Sequence, residues 1–273
     1  MDTPDTEDQM SDFEKEISSE EVALKPSEAA DPASIVEAKI PKDIRELYEI
    51  YSYRNAAVIL SETRTQEFNE LLNALRDFKI TTTMIRKAGG NESEIPKLFS
   101  ATLRPLGWHE TIIRGDLLVK LFWKEQVGIA KGGKAKFAKK TRDILRERFL
   151  DGHKIDYVKN RVAFDLEWNS KDQTFDRDLY AFSAFAQCGV VDAAVLVTRS
   201  VQLNDVFRAL GPALKKDGTI ENKSTGQPRK TIEKYGASTT WMGKLLYRLN
   251  AGRNGGCPVL AVGITPKCIS DWA

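Results

Sequence analysis

Two hydrophobic periodicities alternate along residues 41–273, and together they predict an α/β domain. Apolar residues recur with helical spacing in the segments 66–78, 93–106, 175–188, 203–210 and 240–249. Strand-like apolar or β-branched runs lie at 48–60, 80–85, 162–168, 193–198 and 258–264. Because helical and extended segments alternate, we expect a central mixed β-sheet flanked by helices.

Two regions between these segments have other patterns. Residues 109–123 predict two strands that turn at Arg114-Gly115-Asp116, and the Gly132-Gly133 break predicts the start of a basic helix that ends at Leu150. Residues 212–237 are polar, and a loop of this length in a compact domain is usually functional or disordered. Its cations fit a DNA-contacting loop about as well as a mobile surface loop: Lys215, Lys216, Lys223, Arg229, Lys230 and Lys234.

One short segment carries a row of polar side chains on an apolar strand. Between residues 162 and 169, apolar side chains alternate with Ala163, Asp165, Glu167 and Asn169. Because successive strand side chains point to opposite faces, three polar groups emerge together on one face. A purely structural strand rarely buries such a row. Asp156 precedes the strand on a predicted turn, so the segment predicts two acids close together.

These residues suit a magnesium site that hydrolyses phosphodiesters. Mg²⁺ prefers hard oxygen ligands and keeps several waters, so two carboxylates and a carbonyl suffice on the protein side. We expect Asp156 and Glu167 to be the carboxylate ligands and the backbone carbonyl of Trp168 to be the third ligand. Asn169 would orient the attacking water or a phosphate oxygen, since an amide cannot act as a base. For Asp165 we expect a hydrogen-bonding role. A solvated strand face with ordinary charges is the alternative.

Charge is distributed unevenly along the 273 residues. Residues 1–40 carry 12 Asp and Glu against 3 Lys, a balance of −9, so the formal net charge of +2 leaves +11 for residues 41–273. A basic folded part suits a polyanionic partner, although scattered Lys residues also serve solubility. Residues 1–40 have few aromatic residues, and we expect them to form a disordered acidic tail before a catalytic domain at 41–273.

Composition disfavours a membrane protein and several kinds of metal site. No apolar run approaches the roughly 20 residues of a transmembrane helix, and the acidic N-terminus is unlike a signal peptide. We therefore expect a cytoplasmic protein. Cys188, Cys257 and Cys268 are odd in number and lack metal-ligand spacing, so we expect reduced packing residues. With only 2 His in the chain, a histidine-rich metal site is excluded.

A cluster of cations precedes the acid-bearing strand. Residues 131–148 hold eight Lys and Arg, against only Asp143 and Glu147. Neutralising a DNA phosphate releases counterions, so we expect phosphate contacts from Lys139, Lys140 and Arg142. An exposed helix or a helix at a dimer interface would fit the pattern equally well.

The chemistry-bearing residues resemble a known nuclease family. Asp156 followed by Glu167-Trp168-Asn169 is similar to the acid, spacer, Glu-x-polar pattern of the PD-(D/E)xK superfamily, with Ile155 at the usual Pro and Asn169 at the usual Lys. The context at 154–179, 195–199 and 256–265 resembles the BglII/BstYI group of type II restriction endonucleases, over roughly residues 45–270. That group has Gln at the lysine position, so Asn169 is a shorter version of a known departure.

The resemblance implies a restriction-endonuclease-like fold and further roles for individual residues. Related enzymes read bases just after the catalytic strand, which implies DNA contacts for Ser170, Lys171, Asp172 and Arg177. Backbone N–H groups at a predicted helix N-terminus could bind phosphate at Ser238, Thr239 and Thr240, although helix capping is the more frequent role there. The family would also allow a helix-borne Asp143 or Glu147 to complete the metal environment, but surface-helix charge is the more frequent role.

The function that the sequence favours is a Mg²⁺-dependent, homodimeric type II restriction endonuclease. A symmetric dimer with two active sites would cut double-stranded DNA at a short palindrome, GATC-centred if it follows its relatives. A catalytically inactive DNA-binding protein on the nuclease fold is the alternative that Asn169 suggests. A repair or mobile-element nuclease without strict sequence specificity is a third hypothesis.

Overall fold

A six-stranded mixed β-sheet forms the centre of the protein in this computed structural model. The structure describes residues 30–87, 93–236 and 238–272. The strands are β1 (Tyr48–Tyr53), β2 (His109–Ile129), β3 (Ala135–Lys159), β4 (Val162–Glu167), β5 (Ala193–Arg199) and β6 (Val259–Ile264). The helices are α1 (Ala33–Lys39), α2 (Lys42–Leu47), α3 (Ala56–Thr63), α4 (Thr65–Asp77), α5 (Thr82–Lys87), α6 (Glu94–Leu103), α7 (Thr174–Gln187), α8 (Leu203–Ala209) and α9 (Met242–Asn250).

The sheet has the order β1-β6-β5-β4-β3-β2, with three parallel strands in its centre. Strands β4, β5 and β6 run parallel, whereas β1 and β3 run antiparallel to their neighbours β6 and β4. Every residue of the three central strands is buried, because helices cover both faces of the sheet. Helices α3, α4, α6 and α8 pack on one face, and α7 and α9 on the other. The predicted α/β fold with a flanked mixed sheet is therefore confirmed.

The chain divides into two units, of which the smaller is Ile112–His153. This unit is an antiparallel ribbon formed by the outer parts of β2 and β3. The ribbon turns at Gly132 and Gly133, whose φ angles are 105° and 81°, and the N–H of Ala130 donates to the carbonyl of Lys134 at 2.7 Å. Most of the large apolar side chains that are exposed in the described residues lie on this ribbon. A two-stranded ribbon cannot build a core of its own.

The folded part begins before residue 41. Helix α1 buries Val36, and Ile40 joins the same hydrophobic core. The carboxylate of Asp31 accepts hydrogen bonds from the Ser52 hydroxyl at 2.5 Å and from the Asn55 N–H at 2.8 Å. Residues 30–40 of the predicted acidic tail are therefore part of the fold, and residues 1–29 lie outside the described residues.

The predicted basic helix between Gly133 and Leu150 is wrong, because this segment is part of strand β3. The two positive-φ glycines form a hairpin turn instead of a helix start. Many of the cations stand two residues or a multiple of two apart, which is the period of a strand: Lys134, Lys136, Lys140, Arg142, Arg146 and Arg148. The predicted turn at residues 114–116 is also absent, since β2 continues through it as one strand of 21 residues.

Two further strand predictions were too long or misplaced. Strand β1 ends at Tyr53, because Arg54 and Asn55 adopt positive φ angles of 56° and 59° and α3 begins at Ala56. The predicted strand at 80–85 contributes a single bridge between Ile80 and Ile269 before α5 begins. Within the described residues, no helix has the length and apolar character needed to cross a bilayer.

Candidate active site

The acids of the two neighbouring strands lie opposite each other. In the pairing of β3 with β4, Tyr157 faces Phe164, so the next pair is Asp156 opposite Asp165. The backbone N–H of Asp156 donates to Oδ1 of Asp165 at 3.3 Å. Asp156 is half-exposed, whereas Asp165 is buried. Asp156 thus lies on strand β3 and not on the predicted turn, and Asp165 makes a hydrogen bond of the expected kind.

Glu167 is held at the buried end of β4 by its backbone. Its carbonyl accepts hydrogen bonds from the hydroxyls of Thr198 at 2.8 Å and Thr240 at 3.2 Å. Its side chain is also buried, with the residue only 7% exposed. Oε1 lies 3.6 Å from Nη2 of Arg177, while Oε2 is buried and has no hydrogen-bond partner among the described residues. The backbone is therefore fixed, and one carboxylate oxygen stays available.

A second acid, Asp178 on helix α7, packs against Glu167 and was missed from the sequence. Asp178 is 1% exposed, and its carboxyl lies within hydrogen-bonding reach of the Glu167 carboxyl. Nε and Nη2 of Arg177 donate to its Oδ1 at 3.1 and 3.0 Å, and its Oδ2 has no partner. A signal was present in the sequence: Asp178 stands three residues after Phe175 and four before Phe182, on the apolar face of α7.

Burial raises the pKa values of the buried acids in this site. Burial, followed by the charge of Glu167, raises the pKa of Asp178 to about 8 against the opposing effect of Arg177. Burial also raises the pKa of Glu167, although the charge of Arg177 opposes this shift. The pKa of Asp165 is raised well above its ordinary value, first by burial and then by Asp178. The acids therefore need either protons or a cation to neutralise them.

The backbone after Glu167 is tied to a buried arginine. Nε of Arg199 donates to the carbonyl of Trp168 at 2.8 Å, and its Nη2 donates to the hydroxyl of Thr239 at 2.6 Å. The guanidinium also lies over the rings of Phe207 and Tyr235. Burial lowers the pKa of Arg199 to about 10, which leaves it charged at neutral pH. The carbonyl of Trp168 thus already accepts a hydrogen bond from a cation, and its role as a metal ligand stays a prediction.

The amide of Asn169 is anchored through its nitrogen. Nδ2 donates to the carbonyl of Lys234 at 3.1 Å, and Oδ1 is buried without a partner. Lys234 ends the 3₁₀ turn Thr231–Lys234, which lies within the predicted long loop at 212–237. The loop therefore reaches the end of the acid-bearing strand. The Oδ1 of this anchored amide can still accept a hydrogen bond.

The two predicted DNA-contacting segments beside the acids lie next to each other. The Asp172 N–H donates to the Ser238 carbonyl at 3.0 Å, and the Thr240 N–H donates to the Ser170 carbonyl at 2.9 Å. Lys171 and Thr239 form the bridge between them. The exposed side chains here are those of Lys171, Arg177 and Ser238, whereas Thr240 is buried. The Asp172 carboxylate forms an ion pair with Lys244 at 3.2 Å.

The remaining predicted contacts lie in the ribbon Ile112–His153. Lys139, Lys140 and Arg142 are all exposed on β3. Asp143 and Glu147 lie on the same strand, so the expectation that a helix carries them is wrong.

The donor atoms around Glu167 fit a hard divalent cation. The buried oxygens without partners belong to Glu167, Asp178 and Asn169, and oxygen is the donor type that such cations prefer. In residues 30–87, 93–236 and 238–272, no three carboxylate, thiol or imidazole side chains already converge as a metal centre. The residues therefore supply the donor atoms that such a cation prefers.

Comparison with known proteins yields one family. A family model described as "Restriction endonuclease BglII/BglIII" matches residues 48–264, which is more than three quarters of the chain. The match begins at the first residue of β1, ends at the last residue of β6, and includes every candidate residue above. No curated protein sequence matches the chain at a significant level.

The raised pKa of Asp178 predicts how stability depends on pH without metal. Its folded pKa of about 8 exceeds the ordinary value of 3.8, so between these pH values the folded protein binds more protons than the unfolded chain. The free energy of unfolding should then fall as pH rises through this window. Asp178→Asn removes the titrating group and should flatten the fall, as measured by denaturant unfolding in EDTA. Identical pH profiles for both proteins would contradict the raised pKa of Asp178.

Arg199 should be a major source of stability at the end of β4. Arg199→Ala leaves the Trp168 carbonyl without its donor and opens a cavity beside Phe207, so we expect the free energy of unfolding to fall by about 3 kcal/mol. Arg208→Ala is a matched control, because Arg208 is exposed and pairs with the exposed Asp205; it should cost about 0.5 kcal/mol or less. Equal losses in urea denaturation would show that Arg199 has no special role.

Proposed function

Because the chain belongs to the BglII/BglIII family of restriction endonucleases, we propose that it hydrolyses double-stranded DNA at a short palindromic site with Mg²⁺ as cofactor. Family membership makes the protein a DNA nuclease. The cofactor, the palindrome and the quaternary structure are our proposals. The observation that carries the cofactor is the buried oxygen of Glu167 that has no hydrogen-bond donor.

In this proposal Asp156 and Glu167 hold the cation, and the Trp168 carbonyl is the third protein ligand. Asp156 is half-exposed and can turn towards Glu167, whose backbone is fixed by Thr198 and Thr240. When bound, Mg²⁺ supplies positive charge for the scissile phosphate and lowers the pKa of a coordinated water. The protein contributes a rigid position for the carboxylates.

Asn169 would orient the attacking water as a hydrogen-bond acceptor. Its Nδ2 donates to the Lys234 carbonyl, and its Oδ1 is left to accept a hydrogen bond from water. Arg177 would bind the phosphate, because its guanidinium is 64% exposed and lies beside Glu167. An amide and a guanidinium would thereby position water and phosphate without acting as bases.

Basic side chains would hold the DNA. The ribbon Ile112–His153 contains 11 Lys and Arg against 5 Asp and Glu, and a two-stranded ribbon has dimensions that fit the major groove. Lys139, Lys140 and Arg142 are the phosphate contacts that we propose there. Closer to the acids, we propose contacts from Ser170 to Asp172 and from Ser238 to Thr240, two segments joined by backbone hydrogen bonds. The side chain of Thr240 is buried and its N–H donates to the Ser170 carbonyl, so Thr240 would hold this segment in place while the exposed Ser238 would contact the DNA.

We propose a homodimer and a GATC-centred target. Two copies related by a two-fold axis present two active sites, and a palindrome has the same symmetry. The resemblance to the BglII/BstYI group supports the GATC core. A cytoplasmic location fits the three cysteines, all of which are free.

Substitution of the proposed cation ligands tests catalysis. Asp156→Ala and Glu167→Ala should each lower the rate of plasmid cleavage at least about 100-fold, since even partners outside the first ligand shell contribute 10- to 100-fold. Asp205→Ala, on the exposed surface of α8, should cleave at the native rate. Sequencing of the fragment ends would give the target and the overhang.

Each result of this digestion has a distinct meaning. Discrete fragments that vanish in both variants support the proposal. Native cleavage rates in Asp156→Ala and Glu167→Ala would refute the ligand assignment. Smeared products would refute sequence specificity. Tight DNA binding without cleavage in Mg²⁺ or Mn²⁺ would refute catalysis.

Removal of ribbon cations tests the DNA contacts. The variant in which Lys139, Lys140 and Arg142 are all replaced by Ala should bind DNA more weakly. Its plot of log affinity against log salt should be shallower by up to about 2.7 for each protomer bound, since each phosphate contact contributes about 0.9. A control variant with three exposed cations elsewhere replaced by Ala should keep the native slope: Lys42, Arg208 and Lys267. Equal slopes for the two triple variants would refute phosphate contacts on the ribbon.

A further inference from the structure

The carboxylates of Glu167 and Asp178 are arranged alike, each with one oxygen towards Arg177 and one without a partner, and neither β4 nor α7 needs this arrangement to form. Each carboxylate faces the same guanidinium through one oxygen: Arg177 lies 3.6 Å from Oε1 of Glu167 and donates to Oδ1 of Asp178 at 3.0 Å. The other oxygen of each, Oε2 and Oδ2, is buried and has no hydrogen-bond partner. The two carboxyl groups lie within hydrogen-bonding reach of each other.

A structural role would be served better by other residues. Asp178 occupies the apolar face of α7 between Phe175 and Phe182, where an apolar side chain would pack without cost. A buried polar atom without a partner is costly, and two of them in contact add repulsion whenever both groups are ionised. Such a pair is stable when a proton or a cation neutralises its charge.

We propose that Asp178 is a further ligand of the divalent cation, contributed by helix α7, and that its Oδ2 and the Oε2 of Glu167 bind the same ion. This inference rests on the proposed function, because it uses the same cation site. Arg177 is then a positioning residue for both acids: by engaging one oxygen of each, it leaves the other oxygen directed to the cation. Asp156 completes the site from strand β3.

Asp165 is distinct from these ligands although it lies in the same acid cluster. Its Oδ1 accepts the Asp156 N–H, and neither of its oxygens is among the buried unpartnered atoms of the described residues. Asp165 thus ties β4 to β3 at the position of Asp156. The cation site consequently combines two strands and one helix.

The test measures cation binding directly, with Mn²⁺ as the probe and the full-length chain without DNA. Free Mn²⁺ is counted by electron paramagnetic resonance, and the dissociation constant is confirmed by calorimetric titration. Asp178→Asn and Glu167→Gln keep the shapes of the side chains while each removes one charge. Asp176→Asn is the matched control, because it removes one charge from the same helix at a residue that pairs with Arg248 and Arg253.

The expected result is a dissociation constant raised about tenfold or more in Asp178→Asn and Glu167→Gln, and changed by about twofold or less in Asp176→Asn. If Glu167→Gln weakens binding but Asp178→Asn does not, Asp178 is not a ligand and the proposed function is unaffected. If neither substitution weakens binding, the cation site of the proposed function is itself refuted, and this inference with it.

Thermal unfolding separates a binding defect from a folding defect. Without metal, Asp178→Asn should melt cooperatively at the native temperature or above it, because the amide is neutral in the buried site without having to bind a proton. Added Mn²⁺ should raise the melting temperature of the native protein and of Asp176→Asn, but much less that of Asp178→Asn. An undiminished shift in Asp178→Asn would overturn the proposal independently of the titration.

Discussion

The burial of three carboxyl groups around a single guanidinium is the constraint on which the rest of the structure depends. Asp165, Glu167 and Asp178 lie in the interior, and Arg177 is the cation in direct contact with the last two. Such a group is unstable unless its neighbours are rigid and a further positive charge can enter. In the function that we propose, this local loss of stability provides the capacity to bind a cation, a trade that is common in active sites.

The surrounding structure is organised to make the end of β4 rigid. The hydroxyls of Thr198 and Thr240 donate hydrogen bonds to the Glu167 carbonyl. Arg199 donates to the next carbonyl, and its guanidinium contacts two rings that stack on each other. These contacts are made to backbone atoms, so they do not use the side-chain oxygens needed for chemistry. Because β4 lies between β3 and the parallel strands β5 and β6, its ends cannot move without disturbing the whole sheet.

Much of this fold could be predicted from the sequence, because hydrophobic period and burial coincide in the centre of the sheet. The segments around Glu167, Val195 and Val262 form strands as expected. The helix prediction for the ribbon is wrong because a dense run of lysines does not distinguish helical from extended backbone. The two-residue spacing of the cations indicates a strand only once Gly132 is known to turn the chain. Asp178 could not be predicted because Glu167, the acid beside it, lies on a strand. The spacing of residues along one helix gives no information about contacts with another element.

The hydrogen bond from Asn169 to Lys234 joins positions 65 residues apart in the chain. It makes the orientation of the amide depend on the conformation of a polar surface loop. Surface loops vary more in sequence among relatives than the buried strands that they connect, such as β4. Evolution of the loop is therefore not free of β4, and a change in residues 212–237 would have to preserve the position of the Lys234 carbonyl to keep the amide in place.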